Sequence, residues 1–318
     1  MRSIRRLVPT LLVLVALAAA ASPAAAEPHD PLRVFTTVPD LAALARRVGG
    51  AHVEVFSMIE GREDAHFAEP RPSFVKQLAD ADVYIEIGLE LEAAYAPVLL
   101  QNARNPAVVI GRPGHITAAE AVPELIGPSG PITRARGDVH AGGDPHFLVD
   151  PLAAVAVAER IRDRFSAIAP AHAADFAREA ETFRQDVLSR LDGWLARMAP
   201  HRGAKVVDDH AMWAYFARRF GLEIVGHLEP FPGIPPTTKH LADLVERMRA
   251  DDVGVIIASP YYDVRHAEKV AGATGAVIAR LTHQTGGVQR TEDYVAMVDY
   301  NVRTIADALE RTRGGGPQ

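Results

Sequence analysis

Three histidines in this sequence stand where a chain could present an imidazole as a metal ligand. His146 lies in Asp144-Pro145-His146-Phe147-Leu148-Val149-Asp150-Pro151, after the turn Gly142-Gly143 and before an apolar helical run, Leu152 to Ile168. His66 precedes Glu69-Pro70-Arg71-Pro72, and His210 follows the apolar pair Val206-Val207. Three neutral imidazoles from three loops suit zinc, with copper and nickel also served, whereas an oxygen-rich set would suit manganese, calcium or magnesium. The chain holds 13 histidines, and each taken singly also reads as a surface or satisfied polar residue, so spacing leaves both readings open. There is no cysteine, which excludes disulfides and a thiolate metal site.

These histidines need a scaffold, and the sequence describes one. The 318 residues suffice for two domains of ordinary size. A net charge of -6 gives no reason to expect nucleic acid or an anionic membrane as partner. Residues 1–26 read as a secretory signal peptide: Arg2, Arg5 and Arg6, an apolar stretch from Leu7 to Ala21, then Ser22-Pro23-Ala24-Ala25-Ala26. The apolar part is shorter than the ~20 residues of a spanning helix. With no cysteine at the cleavage site to carry a lipid, the expected product is a soluble periplasmic protein, not lipid-anchored.

Beyond the leader, strand and helix patterns alternate. Strands are expected at Arg33–Val38, His52–Met58, Asp82–Gly88 and Ala107–Ile110, with helices between them. Residues 111–143, rich in Gly and Pro, read as a long surface loop in which His115 and His140 are exposed. A helix runs to Ile168. A second, from Pro170 to Pro200, places Phe176, Phe183, Val187, Leu191 and Leu195 on one face over about 28 residues, or ~42 Å. The alternation then resumes, with strands at Lys205–Asp208, Glu223–Val225, Val253–Ala258 and Ala276–Leu281. The expected fold is α/β: two lobes, 27–168 and 201–313, each a mostly parallel sheet flanked by helices, joined by one long rigid spine helix over 169–200. Residues 314–318 are expected to be a disordered tail. Trp194 and Trp213 read as core, Tyr261-Tyr262 as packed near the cleft, and His172 and His201 as solvated.

Several stretches together resemble the TroA-like family, the zinc- and manganese-binding solute-binding proteins of ABC importers. Val34-Phe35-Thr36-Thr37-Val38-Pro39-Asp40-Leu41 resembles the family's first strand and turn. Asp64-Ala65-His66-Phe67-Ala68-Glu69-Pro70 is similar to its Asp-Pro-His-Thr-Phe-Glu-Pro motif, with Ala65 replacing the proline. The segment from Asp144 to Pro151 resembles Asp-Pro-His-x-Trp-Leu-Asp-Pro. His210 to Leu222 resembles the third ligand region, Pro235 to Leu241 a characteristic helix start, and Asp299-Tyr300-Asn301 the final helix. The resemblance implies metal ligands at His66, His146 and His210, with zinc favoured because the third position is an imidazole. It departs at the fourth ligand, where many members place a carboxylate and this chain reads Leu281-Thr282-His283-Gln284. Water or His283 is the preferred fourth ligand, with Asp64 and Glu69 the carboxylates nearest in sequence to a ligand. Asp150 and Asp209 could fix a ligand imidazole's tautomer, or serve as helix caps.

The function so implied is a monomeric periplasmic receptor that captures Zn2+ between its lobes and delivers it to an ABC permease. The stiff spine implies limited lobe motion. A manganese or iron receptor of the same family is the near alternative. A secreted zinc hydrolase is the alternative of another class, since three histidines and water also make a catalytic zinc site. No His-Glu-x-x-His motif supports it, no catalytic residues are assigned, and the chain is read as no enzyme.

Overall fold

The structure is a computed structural model and describes residues 28–127, 140–231 and 233–314. The expected leader, 1–26, lies outside these residues, as do 315–318 of the expected tail. No helix among the described residues is long and apolar enough to cross a membrane.

Two four-stranded parallel sheets carry the fold. The first has the strands β1 (Leu32–Thr36), β2 (Val53–Ser57), β3 (Val83–Glu86) and β4 (His115–Thr117) in the order β2-β1-β3-β4. The second has β5 (Lys205–Asp208), β6 (Glu223–His227), β7 (Val255–Ala258) and β8 (Val277–Arg280) in the order β6-β5-β7-β8. The two sheets repeat one topology. In each, the chain leaves its first strand in one direction and returns on the other side of it. A crevice opens at such a reversal, beyond the C-terminal ends of the strands, and ligands favour it.

The helices begin where proline permits. Pro39 opens α1 (Pro39–Gly49), Pro72 opens α2 (Pro72–Ala79), and Pro97 falls in the first turn of α3 (Ala96–Ala103). Pro151 opens α4 (Pro151–Ile168). The first turn has no use for every backbone N–H, so proline's missing donor is not felt there. The expected spine is α5 (Ala173–Met198), 26 residues or about 39 Å, flanked by single helical turns at Pro170–His172 and Ala199–His201. Its buried stripe is Phe176, Ala180, Phe183, Val187, Trp194 and Met198. In the second half α6 (Ala214–Phe220), α7 (Thr238–Ala250) and α8 (Val264–Thr274) flank the sheet. The final helix α9 (Tyr294–Gly314) returns to the spine, where Asp299 accepts from Trp194 Nε1 at 2.6 Å and Arg190 Nη1 at 2.7 Å.

The spine is therefore part of the packing rather than a bare rod. One continuous apolar core runs from Val34 and Ile85 through Phe165 and Phe183 to Val255, Ile257 and Met297, so it reaches both sheets. A smaller core of Val207, Leu244, Ile256 and Val270 fills the other face of the second sheet.

Four expectations are corrected. The fourth strand is not Ala107–Ile110 but His115–Thr117. Pro106–Val108 forms a helical turn instead, and Ile110 is 78% exposed. Gly114 makes the later strand possible, since a Cβ there would fall 2.4 Å from the Asp82 carbonyl oxygen. His115 is consequently buried at 5% exposure, with its ring between Glu86 Oε1 at 3.0 Å and the Val108 carbonyl at 2.9 Å. His201 is buried and His172 half-buried, because both lie where the spine's ends pack. Gly314 ends α9 rather than starting a tail.

Candidate metal centre

The three histidines arrive from three loops and meet. Beyond β2, Asp64 caps the helical turn Ala65–Phe67 and sets His66 at the cleft. Asp144-Pro145 leads His146 into the turn Phe147–Val149. His210 follows β5 directly. One ring nitrogen from each lies within 4.8 Å of the others, and all three residues are buried. The rings of His66 and His146 are 5.4 Å apart, those of His66 and His210 5.6 Å, and those of His146 and His210 6.0 Å.

Each ring is held by a carboxylate at Nδ1. Asp64 Oδ1 lies 2.8 Å from His66 Nδ1 and accepts His66 N–H at 2.9 Å. Asp144 Oδ1 repeats both contacts on His146, at 2.8 and 2.9 Å. Glu229 Oε2 lies 2.8 Å from His210 Nδ1. An ionised carboxylate only accepts, so each Nδ1 carries the hydrogen and each Nε2 keeps its lone pair. Nε2 of His146 and of His210 are buried without a hydrogen-bond partner. A buried orphan acceptor is costly, and a cation placed between these atoms would satisfy both.

His140 stands beside His66, outside the trio whose nitrogens lie within 4.8 Å of one another. Its Nε2 is 3.3 Å from His66 Nε2, and its ring is 5.3 Å from that of His66. Adjacent nitrogens on a tetrahedral zinc stand about 3.3–3.4 Å apart. The neighbouring Ala141 N–H is fixed by Glu90 Oε2 at 2.9 Å, which turns this loop end inward. The reading of His140 as exposed is thus corrected. His283 also reaches the site, its ring 5.9 Å from His146, but both its nitrogens have other neighbours. Tyr261 OH is 2.5 Å from Nδ1, and Gln284 Nε2 is 3.3 Å from Nε2.

The electrostatics favour neutral rings. Burial pushes His146 below the usual imidazole range, against the pull of Asp144 and with help from His66 and His210. Burial and the neighbouring imidazoles bring His140 down to about 4. Burial likewise holds His283 well below the usual range. Burial would raise Asp64, but its hydrogen bond and charge interaction with His66 hold it well below the ordinary carboxylate value.

Asp150 and Asp209 do other work than orienting imidazoles. Asp150 caps α4 through Leu152 N–H at 3.0 Å and takes Arg219 on both oxygens at 2.8 Å. Asp209 accepts the backbone N–H of His210 at 2.9 Å and that of Ser259. Burial raises Asp209 to about 7. The orienting residues are Asp64, Asp144 and Glu229. The first two stand in the Asp-x-His pattern that recurs at residues 64–66 and 144–146. Tyr262 was expected near the cleft. It stacks on His210 at 5.2 Å and 15°, and its OH donates to Asp64 Oδ2 at 3.2 Å. Glu69 is not among the residues that meet here.

The two halves also grip one another beside the site. Thr285 N–H donates to Asp40 Oδ1 at 2.9 Å, Gln284 Nε2 to the Glu63 carbonyl at 3.2 Å, and Arg62 Nε to the Gly287 carbonyl at 3.2 Å. Gly61 allows that approach: a Cβ there would lie 2.2 Å from the Thr285 carbonyl oxygen.

Comparison with known proteins agrees with this architecture. The model of the family described as "ZnuA: Zinc-uptake complex component A periplasmic" matches residues 34–308. The chain is 27% identical over 291 residues to the manganese-binding lipoprotein MntA of Bacillus subtilis, covering 88% of this chain and 90% of that protein. It is 21% identical over 288 residues to the zinc-binding protein AdcA of Streptococcus pyogenes serotype M1, covering 86% of this chain and 55% of AdcA, so it spans about half of that relative. Among solved structures, a crystal structure of ZnuA superposes with a TM-score of 0.73 at 20% identity, covering 87% of this chain and 98% of that one. The structure of FpvC from Pseudomonas aeruginosa in complex with Mn2+ gives 0.74 at 22%, covering 88% and 99%.

Proposed function

We propose a cargo and a mode of capture for this chain, which belongs to the ZnuA family of metal-binding receptors that serve ABC importers. The family is one of solute-binding receptors, not enzymes. The cargo is Zn2+, held by Nε2 of His66, His146 and His210, with His140 as the fourth ligand in preference to water or His283. The observation that carries this reading is the pair of buried, unpartnered Nε2 atoms on His146 and His210. Carboxylates on the far side of all three rings aim their lone pairs inward. A set made of imidazoles favours zinc over manganese. The relatives' names point both ways, MntA to manganese and AdcA to zinc.

Burial lowers His140 and His146, so these two rings have no proton to lose from Nε2 on capture. His66 stands on the first lobe and His210 on the second, so the ion bridges the lobes. Delivery to the permease then requires the contacts beside the site to loosen, chiefly Tyr262 to Asp64 and Thr285 to Asp40. Export through a leader over residues 1–26 to the periplasm belongs to this proposal.

The test is a competition titration of the purified chain with Zn2+ and Mn2+, alongside His66→Ala, His146→Ala and His210→Ala. The parent should hold Zn2+ more tightly than Mn2+. Each variant should lose at least about a hundredfold in zinc affinity, more than loss of an outer hydrogen-bond partner costs. Tighter Mn2+ binding would overturn the choice of cargo. Variants that bind zinc like the parent would overturn the ligands.

A further inference from the structure

A second group of donors lies at the opposite end of the first sheet. His52 ends the short turn between α1 and β2, and His172 ends the turn between α4 and α5. Asp30 stands just before β1. One nitrogen of each ring and one carboxylate oxygen of Asp30 lie within 4.8 Å of one another. His172 Nε2 is 3.5 Å from Asp30 Oδ2, and His52 Nε2 is 3.0 Å from Asp175 Oδ2 in the first turn of the spine. β2 begins at this end and leads towards His66 at the other. Its five residues place the two groups ~17 Å or more apart.

The two imidazoles are fixed rather than loose. Their centroids are 3.9 Å apart at 17°. Both rings stand edge-on to the buried Phe176, at 5.9 and 6.2 Å. Their side chains are only 27% and 25% exposed. Asp30 and Asp175 bring two carboxylates to the rings, and Arg178 pairs with Asp175 at 2.5 Å and with Glu179 at 3.3 Å. Two imidazole nitrogens with carboxylate oxygens are a donor set that borderline divalent cations take. Asp30 is the exposed member, its side chain 73% exposed, and already lies 3.5 Å from His172.

We propose that Asp30, His52 and His172, with Asp175 beside them, form a second divalent-metal site of the zinc or copper class. Its ion ties the segment before β1, the α1–β2 turn and the start of the spine to one point. It lies away from the inter-lobe cleft and does not share that ion, so this inference stands independently of the cargo proposed above. Binding there stabilises the folded chain by mass action, because the unfolded chain does not hold these donors together.

The experiment is a calorimetric Zn2+ titration of the parent, of the double variant His52→Gln/His172→Gln, and of the triple variant His66→Ala/His146→Ala/His210→Ala. The parent should show two classes of site, one tight and one weaker. The double variant should keep the tight class, and its weaker class should weaken by at least about tenfold. The triple variant should keep the weaker class, and Cu2+ bound to it should show nitrogen hyperfine splitting in electron paramagnetic resonance. If the double variant melts well below the parent without metal, Asp30→Asn replaces it, with the same loss of the weaker class expected. A single class in the parent overturns the proposal. So does a weaker class that survives in the double variant and in Asp30→Asn.

Discussion

Among the described residues, two constellations of histidine and carboxylate stand at opposite ends of one sheet, and they are built on different plans. At the cleft, His66, His146 and His210 are buried and each has a carboxylate at Nδ1, so tautomer and aim are fixed before any ion arrives. At the far end, two half-buried imidazoles lean on each other and on Phe176, and their carboxylates meet Nε2. The first plan leaves orphan nitrogens pointing at a common centre. The second leaves charged partners that must part before an ion enters. Preorganisation, and not donor type, is then what should set the proposed tight site apart from the proposed weaker one, since both use imidazole.

The comparison breaks first at the carboxylates. Asp144→Asn keeps the size of the side chain but removes the charge that makes His146 more basic. Zinc affinity of the cleft should fall by about 10–100-fold, as for other hydrogen-bonded partners of metal ligands. Asp175→Asn, the matching change at the far end, should leave the tight class unchanged. A competition titration reads both. Equal effects of the two variants on the tight class would show that the carboxylates at the cleft are not preorganising anything.

His140 sharpens the comparison, since it belongs to the cleft by position yet has no carboxylate bonded to its ring among the described residues. His140→Ala should cost about tenfold, less than any of the other three ligands, because its ring is not aimed in advance. Its sign with pH is definite. An imidazole lowered to about 4 in the folded chain stays neutral from pH 7.5 to 5.5. The gap in log affinity between parent and variant should therefore stay constant over that range. It should close only as pH approaches 4, where protons compete for this ring. A gap that already narrows between pH 7 and 6 would contradict the burial that lowers it.

Much of this was legible in the sequence, and the exceptions have a common cause. The two sheets and the spine could be read from local signals, apolar strand runs and proline at helix starts, whereas the three histidines stood out in punctuated turns but were singled out as ligands only by the family resemblance. Asp64 and Asp144 stand two residues before their histidines, whereas Asp150 and Asp209, which also lie near ligands in the chain, take other partners in the fold. Glu229 was not legible, since it lies 19 residues from His210 and reaches it only through the parallel pairing of β5 and β6. His140 and His115 fell in a stretch without periodicity, and no local rule says where such a loop goes. The fourth strand was misplaced because β-branched residues at Val108–Ile110 outweighed the quieter Gly114-His115-Ile116-Thr117. Tertiary packing chose between them.

A last variant tests whether the cleft is joined across the lobes as well as aimed within them. Tyr262 belongs to the second lobe and Asp64 to the first, and a single hydrogen bond of 3.2 Å connects them beside His66. Tyr262→Phe keeps the ring that stacks on His210 and removes only the donor. A hydrogen bond to a charged group contributes about 1.5–3 kcal/mol net, and one as long as 3.2 Å belongs at the low end, roughly tenfold. Since the bond forms only when the lobes meet, its loss should appear as faster zinc release rather than slower capture. Stopped-flow transfer of the ion to a chelating dye measures that rate. Release at the parent's rate would mean that Tyr262 serves the stack alone, and that the lobes are held by Asp40, Glu63 and Gly287 with their partners in the 284–287 loop and Arg62.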